Sequence, residues 1–294
     1  MSLSPGSAPE EIPEVEQAAA PDGLAFPRRI PHIGHALLFV CFAGILMLAS
    51  EILLVLMGFS PAAVVGGEIK VQFPKMQIAA MAATYLATLL AAWLFYPLAW
   101  RRTFLDGVQW NWAVARRQVG QLIGMGMLVG LMMQVVTYFV TPPKSMPMDE
   151  FFLSAATAWA ITLFGTALAP AFEEICFRGF LVPAFAIAYD WLSLPRTNEA
   201  RERWRTTTTL TPAALIFSAL LSSLLFVWIH GAQYAYYWAS LLALFCISLL
   251  LTFVRVKTQS VAASAIVHAA YNSFVFLVGI IATCGYRHLD RLTN

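Results

Sequence analysis

Eight apolar segments, each long enough to cross a lipid bilayer, constrain the fold of this chain more than any other feature. They run approximately over 35–58, 76–99, 117–140, 152–169, 170–191, 211–230, 235–254 and 260–284. A helix needs about 20 residues to cross a hydrocarbon core of ~30 Å. The segments lack the polar/apolar alternation of transmembrane strands, and their backbone must be hydrogen-bonded internally. The sequence therefore predicts an all-α fold, a polytopic bundle of about eight membrane-spanning helices.

Composition excludes several classes of protein. Hydrophobic residues make up 60% of the chain and charged residues 12%, against roughly 45–50% and about 25% in soluble domains. These values exclude a soluble globular enzyme, a disordered chain and a nucleic-acid-binding protein. The formal net charge of +2 is too small to indicate a polyanionic partner. The lipid bilayer is the predicted surrounding, with no nucleic acid among the partners.

The chain divides into three predicted regions. Residues 1–30 are rich in Pro, Ala and Glu and predict a disordered acidic tail. Residues 31–150 are expected to form N-terminal transmembrane helices, and residues 151–294 a transmembrane core that holds the polar residues considered below. Pro170 separates the fourth and fifth segments, and it predicts a sharp break because proline ends or kinks a helix.

Charge does not predict the orientation of an eight-span chain, whose two termini share one side of the membrane. That side collects 8 basic residues, Arg28, Arg29, Arg101, Arg102, Arg116, Arg117, Arg287 and Arg291. The other side collects 9, Lys70, Lys75, Lys144, Arg196, Arg201, Arg203, Arg205, Arg255 and Lys257. The positive-inside rule gives no bias at these numbers. A wrongly assigned span would explain the tie, and the short 152–169 segment is the first candidate for that error.

Three charged residues lie together in the fifth segment, within Phe172-Glu173-Glu174-Ile175-Cys176-Phe177-Arg178. A charge at the bilayer centre costs about 2.5–3.5 kcal/mol or more, so such residues need a reason. Glu174 and Arg178 are four apart and share a helix face, which predicts an ion pair. Glu173 points about 100° away and is left available for chemistry. The alternative is a charge cluster at a helix end, solvated at the membrane surface.

Two further segments each carry a polar residue of interest with a partner four residues away on the same face. Phe226 and His230 share a face at the end of the sixth segment, and His268 and Asn272 share a face within the eighth. A histidine at the water interface and a helix–helix hydrogen bond are the simpler explanations. Because unpaired polar groups are expensive in lipid, the three constellations are expected to face one another and form one catalytic or metal site.

These three motifs, in this order, resemble the CAAX-protease and bacteriocin-processing (CPBP) family of intramembrane proteases, also called the Abi or type II CAAX prenyl endopeptidase family. The resemblance covers about residues 150–284 and rests on Glu173-Glu174-x-x-x-Arg178, Phe226-x-x-x-His230 and His268-x-x-x-Asn272. Relatives often carry glycines between the second and third motifs. This chain instead has Phe245-Cys246-Ile247-Ser248-Leu249-Leu250 there.

The resemblance implies a peptidase that activates water without a Ser or Cys nucleophile. Glu173 is then the general base, and His230 holds and polarises the same water. His268 and Asn272 donate to the developing oxyanion. Glu174, paired with Arg178, fixes the helix and orients a histidine.

A metal version of the site stays open at this point. Glu173, His230 and His268 could bind Zn²⁺ and leave a position for water. The chain has no His-Glu-x-x-His sequence, which excludes a zincin-type site. The metal-free mechanism, with no cofactor, is the favoured prediction.

The predicted function is therefore an intramembrane endopeptidase that acts on a membrane-associated peptide or protein. Two alternatives are a non-proteolytic scaffold or bacteriocin-immunity protein of the same fold, and a proton-coupled transporter. The Ala-rich composition and simple tail favour a bacterial, multi-pass protein of the plasma membrane. Glu51, in the first segment, receives no role.

Overall fold

The computed structural model describes residues 29–59, 62–65, 68–71, 73–140 and 146–292. Among these residues, seven helical stretches are long and apolar enough to cross a membrane: Ile33–Leu56, Pro74–Trp100, Val119–Val136, Ala155–Leu192, Pro212–Tyr234, Trp238–Thr258 and Val261–Ala282. The prediction of an all-α polytopic transmembrane bundle is confirmed, with seven spans in place of eight. The predicted tail falls almost wholly on residues 1–28, which lie outside the described residues.

The helices follow one another along the chain with short connections. The α-helices are α1 Ile33–Leu56, α2 Pro74–Trp100, α3 Phe104–Gly107, α4 Trp112–Arg117, α5 Val119–Phe139, α6 Ala155–Leu163, α7 Ala169–Glu174, α8 Val182–Leu192, α9 Asn198–Thr206, α10 Pro212–His230, α11 Trp238–Thr258 and α12 Val261–Ala282. Short 3₁₀ helices cover Pro147–Phe152, Gly231–Tyr234 and Leu289–Leu292. Strands β1 Ala62–Val65 and β2 Glu68–Val71 pair antiparallel, with Ala62 opposite Val71, in the connection between α1 and α2.

The predicted break at Pro170 is wrong, because α6, α7 and α8 form one continuous helical stretch. Two π-helical segments, Phe164–Leu168 and Ile175–Leu181, join them. The Ala169 N–H donates to Phe164 O, five residues back, and the Val182 N–H donates in the same way to Phe177 O. Each of these residues precedes a proline, Pro170 or Pro183. Local π turns let a transmembrane helix pass a proline, which lacks an N–H, without ending.

The loss of one span puts the two ends of the described chain on opposite sides of the membrane. A contact supports this topology: the Arg29 guanidinium lies over the Trp204 ring at 3.3 Å from its centroid, and it donates to Thr207 O. The residues before α1 and the segment between α8 and α10 therefore lie on one side. The eight-span prediction would have placed them on opposite sides.

The corrected topology also resolves the charge balance. Among the described basic residues, eleven lie on the side of Arg29: Arg29, Arg101, Arg102, Arg116, Arg117, Arg196, Arg201, Arg203, Arg205, Arg255 and Lys257. Four lie on the other side: Lys70, Lys75, Arg287 and Arg291. With this excess, the positive-inside rule predicts that the side of Arg29 is cytoplasmic.

An aromatic core joins the first two helices to the long fourth stretch. Phe39 of α1 stacks on Phe180 with ring centroids 4.5 Å apart, and Tyr96 and Trp100 of α2 pack beside them at 4.9 and 5.8 Å from Phe180. All four side chains are at most 1% exposed. Residues on both sides of the predicted boundary at residue 150 thus share one core, while the boundary itself stays a prediction.

Two glycines let α5 lie directly against α12. A Cβ added at Gly126 would come within 2.4 Å of Val267 O, and one at Gly130 within 2.7 Å of the Phe274 ring. Small residues four apart allow helix backbones to approach closely in membranes. This contact fixes the part of α12 that carries His268.

Candidate active site

A buried ion pair within the fourth stretch is the first element of the site. Arg178 Nη1 donates to Glu174 Oε1 at 2.9 Å, and both side chains are 0% exposed. This is the pair that the spacing of four residues predicts. A buried pair needs additional hydrogen bonds to offset the loss of water around both charges.

Helix α11 supplies those hydrogen bonds. Arg178 Nη2 donates to Ser248 O at 2.7 Å and to Ser248 Oγ at 2.8 Å, and Arg178 Nε donates to Thr252 Oγ1 at 3.4 Å. Sequence reasoning missed both α11 residues. The signal that could have found them is a pair of hydroxyl side chains four residues apart in an apolar helix, which places both on one face.

His268 continues this network from α12. Its Nδ1 lies 2.9 Å from Glu174 Oε1, the same oxygen that accepts from Arg178. Because a carboxylate paired with arginine acts as an acceptor, His268 Nδ1 carries the proton and donates. The other ring nitrogen, Nε2, then faces Glu173 Oε2 at 3.8 Å.

His230 is oriented in the same way, by a backbone carbonyl. Its Nδ1 lies 2.7 Å from Phe226 O and must donate, since a carbonyl can only accept. The Phe226 ring stacks on the imidazole at 4.3 Å between centroids and lies 6.2 Å from the His268 ring. The spacing Phe226-x-x-x-His230 thus fixes both the position of the ring and its tautomer.

Glu173 lies between the two imidazoles. Its Oε1 is 3.8 Å from His230 Nε2, its Oε2 is 3.8 Å from His268 Nε2, and its side chain is 12% exposed. Both distances exceed a direct hydrogen bond and are of the kind that a water molecule bridges. With neutral imidazoles, both Nε2 atoms and the carboxylate are acceptors, so a proton donor is needed between them. A water molecule is the simplest such donor.

Asn272 is held apart from these five residues. Its Nδ2 donates to Gly165 O at 2.7 Å, and among the described residues no side-chain hydrogen bond links it to Glu173 or His268. The reason lies in the π turn at 164–168, where Gly165 O would accept from the residue five positions on. That residue is Pro170, which has no N–H. The Asn272 amide satisfies the orphaned carbonyl and keeps one N–H for another partner.

The alternative zinc site, with Glu173, His230 and His268 as ligands, stays a prediction. Among the described residues, no three His, Cys, Asp or Glu side chains are grouped closely enough to hold a metal ion. Zinc needs nitrogen and oxygen ligands at about 2.0–2.2 Å. Glu51 lies outside the cluster on α1, and its buried Oε2 has no hydrogen-bond partner in the described part of the chain.

Comparison with known proteins identifies the same region. The family model of Rce1-like type II CAAX prenyl endopeptidases matches residues 155–274, which run from the start of α6 to just beyond Asn272. No curated protein and no solved structure matches the chain. All six residues named from the motifs fall within the match. Over residues 155–274 the chain is therefore similar to Rce1-like type II CAAX prenyl endopeptidases, in agreement with the resemblance that the motifs predicted.

Proposed function

We propose that this protein is an intramembrane endopeptidase that hydrolyses a peptide bond in a membrane-associated peptide or protein, with a water molecule activated by Glu173 and histidine. The family match supports a CAAX-type intramembrane protease. The observation that carries the mechanism is the position of Glu173, whose two oxygens each face the Nε2 atom of a different imidazole at 3.8 Å.

In the proposed first step, Glu173 removes a proton from the water as the oxygen attacks the carbonyl carbon of the substrate. His230 Nε2 accepts a second hydrogen bond from that water and holds it in line. The Nδ1 contact with Phe226 O keeps Nε2 of His230 available as an acceptor in the neutral ring. General-base catalysis of this kind contributes about 10²–10⁴-fold.

Oxyanion stabilisation is assigned to His268 and Asn272. Since His268 Nδ1 already donates to Glu174, only the doubly protonated ring offers an Nε2–H to the oxyanion. Asn272 has its second amide N–H left for the same task. Glu173 finally returns the proton to the leaving amine, which completes hydrolysis.

A non-catalytic scaffold or immunity role is not favoured. Such a protein has no need for two imidazoles with fixed tautomers facing one carboxylate. A transporter would be favoured by inverted repeats, which the sequence does not show. Insertion in the plasma membrane of a bacterial cell stays a prediction.

The test compares new protein N-termini in membranes of host cells that make the wild-type protein or Glu173→Gln at equal abundance. Termini found only with the wild type would establish proteolysis, name the substrate and show which side is cut. Glu202→Gln is the matched control, because Glu202 is an exposed glutamate of α9. Identical termini from wild type and Glu173→Gln would contradict the proposal.

A further inference from the structure

We infer that Ser248 and Thr252 of α11 are positioning residues for the proposed hydrolysis, acting on His268 through Arg178 and Glu174. The inference deepens the proposed function and rests on it. It concerns two side chains that no motif includes, in the stretch where relatives often carry glycine.

The route has three consecutive steps between buried groups: from α11 to Arg178, from Arg178 to Glu174, and from Glu174 to His268. Four of the five N–H donors of Arg178 have acceptors: one donates to Glu174 and three to Ser248 O, Ser248 Oγ and Thr252 Oγ1. Glu174 Oε1 then accepts from His268 Nδ1 at 2.9 Å. These residues are at most 4% exposed, so water does not compete for the hydrogen bonds.

The position of Glu174 depends on Arg178 to an unusual degree. Glu174 Oε1 takes both contacts, with Arg178 and with His268, while Glu174 Oε2 has no hydrogen-bond partner among the described residues. The carboxylate is therefore held from one side only. If the guanidinium moves, Glu174 Oε1 moves with it, and the ring of His268 loses the acceptor that sets its tautomer.

Hydrogen bonds to helix α11 hold the Arg178 guanidinium in place. Nη2 and Nε of Arg178 bind Ser248 and Thr252 across the helix interface, and Thr252 Oγ1 donates in turn to Ser248 O at 2.9 Å. Ser218 makes an instructive contrast. It is also 0% exposed, but its hydroxyl donates to Leu215 O within its own helix. Ser218 therefore shares the burial of Ser248 without its contact to the site.

The test measures kcat and KM for the full chain in lipid nanodiscs, with the substrate identified by its new N-termini. For the double variant Ser248→Ala/Thr252→Val, kcat is expected to fall about 10- to 100-fold, the range for lost hydrogen bonds to a charged group. KM is expected to stay within about twofold, because the substrate touches neither residue. Thr252→Ser keeps the hydroxyl and is expected to retain wild-type kcat, as is the control Ser218→Ala.

A second measurement does not depend on cleavage. The unfolding midpoints of Ser248→Ala, Glu174→Gln and the combined variant form a double-mutant cycle, and the effects are expected to be non-additive because both changes act on Arg178. Additive midpoints would overturn the inference, as would an unchanged kcat in Ser248→Ala/Thr252→Val or an equal loss in Ser218→Ala. A wild-type protein that cleaves nothing would overturn the proposed function instead, so the two failures are distinguishable.

Discussion

The two halves of the site are held in different ways. The closed half, Glu174, Arg178, Ser248 and His268, is joined by contacts of 2.7–2.9 Å, and the side chains of Glu174, Arg178 and His268 are 0–6% exposed. The open half, Glu173 and His230, is 12–14% exposed, and its carboxylate contacts the imidazoles at 3.8 Å. Adjacent glutamates thus have opposite surroundings, which suits one to structure and the other to chemistry.

This contrast shows how a membrane interior can contain both a fixed charge and a reactive one. The desolvation of Glu174 and Arg178 is offset by direct pairing and by α11. Glu173 has no such direct partner and keeps room for water and substrate.

The largest contrast concerns the long helix that carries both glutamates. If Ala155–Leu192 is one span, the residues after α12 lie opposite the cytoplasm. Alkaline phosphatase fused to the C-terminus of the full chain is then expected to be active, and green fluorescent protein fused at the same point to be dark. The reverse pattern would mean that Pro170 separates two spans after all.

Glu173→Gln is expected to lower kcat/KM by about 10³-fold, since the amide cannot take a proton from water. The unfolding midpoint is expected to stay near that of the wild type, because Glu173 makes no direct hydrogen bond to the closed half. Cleavage of the substrate and thermal unfolding in the same nanodiscs measure both. A large loss of stability would show that Glu173 belongs to the closed half.

Glu174→Gln, unlike Glu173→Gln, is expected to lower the stability of the folded protein strongly. Removing this carboxylate's charge leaves Arg178 buried without its counter-ion, which costs about 3–5 kcal/mol in the free energy of unfolding. Denaturation in detergent measures the loss. The exposed pair Arg205–Glu202, with atoms 3.9 Å apart, is the control, and Glu202→Gln is expected to change stability by less than about 1 kcal/mol. Equal effects of Glu174→Gln and Glu202→Gln would show that the buried ion pair contributes no more to stability than the exposed one.

Gly126→Ala tests whether the close contact of α5 with α12 holds His268 in position. The added Cβ would meet Val267 O, the residue before His268, at 2.4 Å. Displacing α12 is expected to cost about 1–3 kcal/mol of stability and to lower kcat. Gly124→Ala is the control on the same helix, because a Cβ there meets nothing within 4 Å. Equal behaviour of the two variants would mean that the close contact with α12 has no role in alignment.

The smallest effect is expected from metal chelators. Because side chains alone are proposed to activate water, incubation with a zinc chelator should leave kcat within about twofold of its starting value. Assay before and after chelation, with zinc added back, measures this. Loss of activity that zinc restores would show that Glu173, His230 and His268 draw together around a metal.

The sequence by itself determined the fold class and the residue types of the site. Apolar segments of span length leave only helices in a bilayer, and the spacing of four residues puts Glu174 and Arg178 on one face. The six motif residues were identified because charged and polar groups are rare in such segments.

Tertiary structure alone decided the number of spans, the partners that α11 supplies to Arg178, and the place of Asn272. Whether a proline ends a helix depends on what satisfies the carbonyl it leaves free, and here α12 supplies Asn272 for Gly165 O. Nothing in the sequence distinguishes Ser248 and Thr252 from other hydroxyl residues. They contact the site only because α11 lies against the Arg178 guanidinium. Local patterns fix which face a side chain occupies, but the partner across a helix interface is set by long-range packing, which spacing along one chain does not encode.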